Sequence, residues 1–161
     1  DYGLDVKVAR YHNIYGPHGT YDGGREKAPA ALCRKVIYSI LNNENTIDVW
    51  GDGEQTRSFL YIDDCVEATL RLFDSKYHGP INIGSEEKVS INEMIDKIEI
   101  ISNKKIKRNY QLDKPKGVRG RNSNNDLIRK QLNWDPKYTL QSGLDKTYQW
   151  ILSEIKKKHN Q

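Results

Sequence analysis

Asn13-Ile14-Tyr15-Gly16-Pro17, followed by Gly23-Gly24-Arg25-Glu26-Lys27-Ala28-Pro29, gathers turn formers, backbone hydrogen-bonding groups and cations into one short stretch. It comes after Val6-Lys7-Val8-Ala9-Arg10-Tyr11, which reads as a strand, and before a helix. An α/β enzyme keeps its chemistry on such a loop, beyond the C-terminal end of a strand. Two adjacent glycines let the backbone come close to a ligand. Pro29 suits the first turn of the helix, and the unpaired N–H groups and positive dipole end of that turn suit a phosphate. The same positive end, with Arg25 near, disfavours a proton on Lys27, so this lysine can act as acid or base. Lys35 lies about two turns along the helix and can face the same pocket. By residue type alone, Arg25, Lys27, Arg34 and Lys35 read first as surface charges.

Three further patches have chemical potential. The amide of Asn13 can donate to and accept from a sugar hydroxyl or a phosphate, or it can simply form a turn with Tyr15-Gly16-Pro17. Gln55-Thr56-Arg57 lies between the turn Gly51-Asp52-Gly53 and a strand. Its arginine offers a planar fork to a phosphate, or an edge-strand ion pair to Asp63 or Asp64. Gly117-Val118-Arg119-Gly120-Arg121-Asn122-Ser123 places two arginines around a glycine on a polar loop. That loop can grip a diphosphate, contact RNA or stay solvated. It lacks the aromatic platform on which RNA bases stack.

The elements that must position these residues alternate between strand and helix, which makes the chain α/β. After Val6–Tyr11, an apolar stripe at helical spacing, Leu32, Val36, Ile37, Ile40 and Leu41, predicts a helix from Pro29. Ile47–Trp50 and Ser58–Ile62 read as strands. Asp63 is placed to cap a helix whose inner face is Val66, Leu70 and Phe73. Ile81–Ile83 is a strand, and Ser90 with Glu93 forms a capping box before Met94, Ile95, Ile98 and Ile101. Residues 106–110 read as an edge strand and 111–123 as a polar loop. Asn122 or Ser123 should cap a short helix through Leu127, Ile128 and Leu132. A final helix carries Leu140, Leu144, Tyr148, Ile151 and Ile155.

Composition narrows the function classes. With 36% hydrophobic and 30% charged residues, the chain can bury a core and still be well solvated. No apolar run approaches the roughly 20 residues of a membrane span, and no signal peptide opens it. It starts at Asp1-Tyr2-Gly3 without Met, which reads as the end of an earlier element, so a fragment is expected. Cys33 and Cys65 both fall in helical patterns and read as reduced thiols, not a disulfide. The histidines and cysteines have no metal-ligand spacing. The net charge of +4 arises largely from Lys104–Arg108 and Lys156–Lys158, which suit an edge strand and a helix C-terminus better than nucleic acid.

The order of the patches is more specific than any one of them. Arg10–Pro17, then Trp50-Gly51-Asp52-Gly53, Gln55–Phe59, Tyr61–Val66, Ile81–Ser85 and Leu132-Asn133-Trp134-Asp135-Pro136 together resemble the extended short-chain dehydrogenase/reductase enzymes of the NAD-dependent epimerase/dehydratase family. The resemblance implies the C-terminal substrate-binding lobe of an extended Rossmann-type fold, lacking the N-terminal dinucleotide-binding part. Residues 1–14 would finish the dinucleotide-domain sheet, and 15–161 would form a mixed α/β lobe. Gly23–Ala31 and Gly117–Ser123 resemble the branch that epimerises GDP-mannose at C3 and C5, giving GDP-L-galactose through a transient 4-keto intermediate.

That branch implies tightly held NAD, bound mainly by the missing N-terminal part and by no residue assigned here. It implies no metal. Lys27 becomes the catalytic acid/base lysine, paired with a cysteine that lies before this chain; neither Cys33 nor Cys65 matches it. Asn13, Glu26, Lys27, Ala28, Lys35, Gln55, Thr56, Arg57 and Arg121 match positions that contact the nucleotide sugar, with Arg119 the rival of Arg121. A cytoplasmic homodimer binding neither nucleic acid nor membrane is implied, with the fragment inactive alone. The departures are the absent G-x-x-G-x-x-G loop and the absent Tyr-x-x-x-Lys helix. Tyr110 and Lys114 have that spacing only by chance, in a late polar segment, and the 42–46 turn is long. Alternatives are another NAD-dependent nucleotide-sugar epimerase or 4,6-dehydratase, or a non-catalytic sugar-nucleotide binding module.

Overall fold

The computed structural model describes residues 3–115 and 117–159. In chain order these form β1 (Val8–Tyr11), β2 (Ile14–Tyr15), α1 (Ala28–Leu41), β3 (Thr46–Trp50), β4 (Thr56–Ser58), β5 (Leu60–Tyr61), α2 (Ile62–Asp74), β6 (Pro80–Ile83), β7 (Lys88–Ser90), α3 (Ile91–Ser102), β8 (Lys107–Gln111), β9 (Gly120–Arg121), α4 (Asp126–Leu132) and α5 (Leu140–His159). The strands pair in small groups. β1 runs parallel to β6, β2 to β5 and β3 to β8. β4 is antiparallel to β7 and parallel to β9, which sets Arg57 opposite Arg121.

The main core lies where α1, α3 and α5 meet. Cys33, Val36 and Ile37 of α1 pack with Met94, Ile95 and Ile98 of α3 and with Leu144, Ile151 and Ile155 of α5, all of them buried. β3 shows the two-residue period of a half-covered strand: Ile47 and Val49 face the core, while Asp48 and Trp50 face out. A smaller cluster around Leu60, Ile81, Ile83, Ile128 and Trp134 sits under α2 and α4. Close packing of α5 depends on Gly143, where a Cβ would run into the Tyr15 hydroxyl. The capping box of α3 forms as the sequence predicts. Ser90 Oγ accepts from the Glu93 N–H at 3.1 Å, and Glu93 accepts from the Ser90 N–H at 2.7 Å. Both cysteines are free and buried.

Several expectations are corrected. The inner face of α2 is Asp64, Cys65, Ala68 and Leu72, whereas Val66, Leu70 and Phe73 are 50%, 59% and 74% exposed. This helix carries two apolar stripes. Asp64 decides between them, because its carboxylate accepts the N–H groups of Lys137 and Tyr138, each at 3.0 Å, and so must point inward. Asp63 makes no cap: Tyr61 holds the N-cap position and offers no side-chain bond. The 58–62 strand is broken at Phe59 into β4 and β5, which join different sheets, and Ile62 already belongs to α2. The 111–123 loop contains β9. α4 starts at Asp126 with Asn125 as N-cap, because Ser123 is turned to Asn125 Oδ1 at 2.8 Å and does not cap.

Candidate functional site

One cleft of about 440 Å³ opens between the start of α1 and the end of β3. Four of the residues expected to contact ligand line it: Glu26, Ala28, Lys35 and Gln55. Ala28 and Ala31 form a wall without bulk, and Asp48 and Trp50 close the opposite side. Lys35 Nζ donates to the Asp48 carbonyl at 2.8 Å. Burial pushes its pKa down, Arg34 adds to this, and Asp48 and Glu26 oppose it. A lysine tied only to a carbonyl can be redirected to an acceptor on a ligand. Gln55 Nε2 donates to the Trp50 carbonyl at 3.1 Å, while its Oε1 is enclosed without a hydrogen-bond partner among the described residues.

Glu26 is held by Arg34, whose Nη2 donates to its Oε1 at 2.9 Å. Burial raises its pKa, but hydrogen bonds from its own N–H, from Arg34 and from the Gly24 N–H outweigh that and hold it below the ordinary carboxylate range. Lys27 follows directly. It occupies the N-cap of α1 at φ −76° and ψ 158°, and its side chain makes no cap. It is exposed, and no ion pair or side-chain hydrogen bond to it occurs among the described residues. The first turn of α1 contains no acidic residue, so its N–H groups and dipole end remain uncompensated by side chains.

Gln55 links this cleft to the β4–β9 pair, because Thr56 opens β4. Arg57 and Arg121 stand in register on adjacent strands. Like charges placed so oppose each other, and neither arginine has an acidic partner among the described residues. An anion between them would remove the conflict. Arg57 Nη1 donates to the Thr56 carbonyl at 2.7 Å, which fixes its base but leaves the rest of the fork free. The structure separates the two loop arginines: Arg119 lines a depression with the acidic Asp52 and Glu54, whereas Arg121 faces Arg57.

Asn13 adopts a left-handed φ of 45° and donates its Nδ2–H to the Ser58 carbonyl at 3.0 Å. Part of its amide is therefore spent on holding the end of β4, one residue beyond Arg57. Sequence reasoning missed Asp48 and Trp50 as cleft walls and Arg34 as the partner of Glu26. The period-two pattern of β3 was the available signal for the walls. Arg34 had none, since its partners meet it only after folding.

Among the described residues no group of three His, Cys, Asp or Glu is placed to hold a metal. β5 runs into α2 without an intervening turn, and Asp63 and Asp64 lie in the first turn of that helix. No helix is long and apolar enough to cross a membrane among the described residues.

Comparison with known proteins gives the chain a family. Residues 1–84 match the NAD dependent epimerase/dehydratase family. The chain is 50% identical to GDP-mannose 3,5-epimerase of Arabidopsis thaliana over 157 residues, 98% of this chain and 40% of that protein. The structure superposes on UDP-glucose 4-epimerase of Thermotoga maritima, with its UDP-glucose, at a TM-score of 0.84 and 27% identity, covering 96% of this chain and 48% of that one. It also superposes on UDP-glucuronic acid 4-epimerase of Bacillus cereus in complex with UDP-glucuronic acid and NAD, at a TM-score of 0.77 and 27% identity, covering 96% and 47%. The chain thus spans less than half the length of these relatives. On these matches, and on a mixed α/β fold shared with them, the chain belongs to the NAD dependent epimerase/dehydratase family.

Proposed function

We propose that this chain is the C-terminal, substrate-binding part of a nucleotide-sugar epimerase that inverts C3 and C5 of GDP-mannose to give GDP-L-galactose. The observation that carries the reading is the position of Lys27, between Glu26 and Ala28, both of which line the cleft. Once C4 of the hexose is a carbonyl, the protons on C3 and C5 become acidic. Inversion then needs a base on one face of the ring and an acid on the other. Lys27 supplies one of these, and its partner comes from outside the 161 residues, as do most contacts to NAD. Arg57 and Arg121 neutralise the diphosphate, and Glu26, Ala28, Lys35, Gln55, Thr56 and Asn13 fix the nucleotide sugar around it.

The gene product at its natural length, given GDP-mannose, is expected to form GDP-L-galactose, and Lys27→Ala is expected to slow this by about 10²- to 10⁴-fold with bound NAD unchanged. Full turnover in Lys27→Ala would overturn the reading. A 4-epimerase or 4,6-dehydratase would leave Lys27 without work, and a binding module would take up GDP-sugars and turn none over.

A further inference from the structure

We propose that Arg34 and Trp150 are positioning residues that clamp the loop carrying Lys27 from two sides. The inference rests on the reading of Lys27 given above. Residues 16–27 contain glycines at 16, 19, 23 and 24, and Gly23 and Gly24 adopt φ of 91° and 84°. Such a segment has many backbone conformations open to it, and acid/base chemistry tolerates few of them.

Arg34 grips the loop from α1. Its Nε donates to the Tyr21 carbonyl at 2.9 Å, and its Nη2 donates to Glu26 at 2.9 Å. Asp22 approaches the same guanidinium at 3.6 Å. One planar fork therefore holds a point in mid-loop and the residue next to Lys27. Trp150 grips from α5. Its ring lies 5.4 Å from His18 and 5.4 Å from Tyr21, edge to face in the second case. Lys158 adds a cation 5.1 Å from the centre of the Tyr21 ring. The two grips converge on Tyr21, and α1 and α5 are themselves locked together in the main core.

Arg34 borders the cleft and Trp150 does not, so Trp150 reaches substrate only through the loop and its variant is the one that isolates positioning. Displacing a catalytic group by about 1 Å can cost about 100-fold in rate. In the gene product at its natural length, with GDP-mannose, Trp150→Ala is expected to lower kcat by at least about tenfold and to change KM by less than about threefold. Trp150→Phe should restore most of kcat, because a ring is kept. Arg34→Lys, which keeps the charge but loses the fork, should lower kcat as Trp150→Ala does. Amide hydrogen exchange should quicken across residues 17–27 in Trp150→Ala and stay unchanged in α5.

Wild-type kcat in both Trp150→Ala and Arg34→Lys, or exchange that quickens through α5 as well, would overturn the proposal. Lys27→Ala separates this inference from the one beneath it. If that variant turns over normally, the reading of the site fails. If it is slowed while the Trp150 and Arg34 variants are not, only the clamp fails.

Discussion

The two helices α1 and α3 share one core and differ in how their polar groups are used. Around α3 these groups are paired within the protein. Ser90 and Glu93 cap its start, Asn103 closes its end in a left-handed conformation, and buried Glu99 accepts from the Ile106 N–H and from Lys105, each at 2.8 Å. Around the start of α1 several are left over. The helix has no side-chain cap, Lys27 and Arg121 have no described partner, Gln55 Oε1 is enclosed and unpaired, and two arginines oppose each other in register. An unpaired buried acceptor costs about 1–3 kcal/mol. A cost removed at one helix and kept at the other is what the ligand site proposed at α1 would lead one to expect.

The largest expected break in this contrast is at Lys27. Lys27→Ala should lower turnover of GDP-mannose by about 10²- to 10⁴-fold, the usual worth of a placed acid or base, with the melting temperature of the protein unchanged. Next are the opposed arginines. Arg57→Ala or Arg121→Ala should each weaken binding by about 1.5–3 kcal/mol, roughly 10- to 100-fold in Kd. Calorimetry should show the same loss for GDP as for GDP-mannose, because both carry the diphosphate. Equal affinity in the variants would mean that the arginines are solvated charges.

On the satisfied side the signs reverse. Ser90→Ala should cost about 1 kcal/mol of stability in denaturant unfolding and leave KM unchanged. The smallest effect is that of Glu26. Its pKa is lowered in the folded protein, so its contribution to stability is present above the ordinary carboxylate pKa and is lost as pH falls through the lowered value. Glu26→Gln should therefore flatten the loss of thermal stability as pH falls below the ordinary carboxylate pKa. An unchanged acid limb would show that the Arg34 contact contributes nothing to folding.

The same contrast explains what could be read before folding. The capping box at Ser90 and Glu93 is local, so four residues state it completely. α1 was legible from Pro29 and its stripe. The inner face of α2 was not, because two apolar stripes competed and the choice was made by Asp64 reaching a segment 73 positions away. β9 is two residues long and exists only through its pairing with β4. In the site, residue types pointed to Lys27, Lys35 and Arg57. The convergence of Glu26, Ala28, Lys35 and Gln55 on one cleft needed the crossing of α1 over β3, which no local pattern encodes.

The contact of Tyr15 with α5 has a temporal consequence. The Tyr15 hydroxyl donates to the Leu140 carbonyl at 3.4 Å across a separation of 125 residues, and the same helix buries α1. A ribosome adding about 5–20 residues per second delivers Tyr15 and α1 many seconds before the surface that covers them. During that interval Val36, Ile37 and Cys33 lack the α5 side of their core, and such delayed long-range closure slows folding and exposes chains to aggregation. A nascent chain halted before Leu140 should therefore be held by chaperones, and it should acquire protease resistance around α1 only once α5 has emerged.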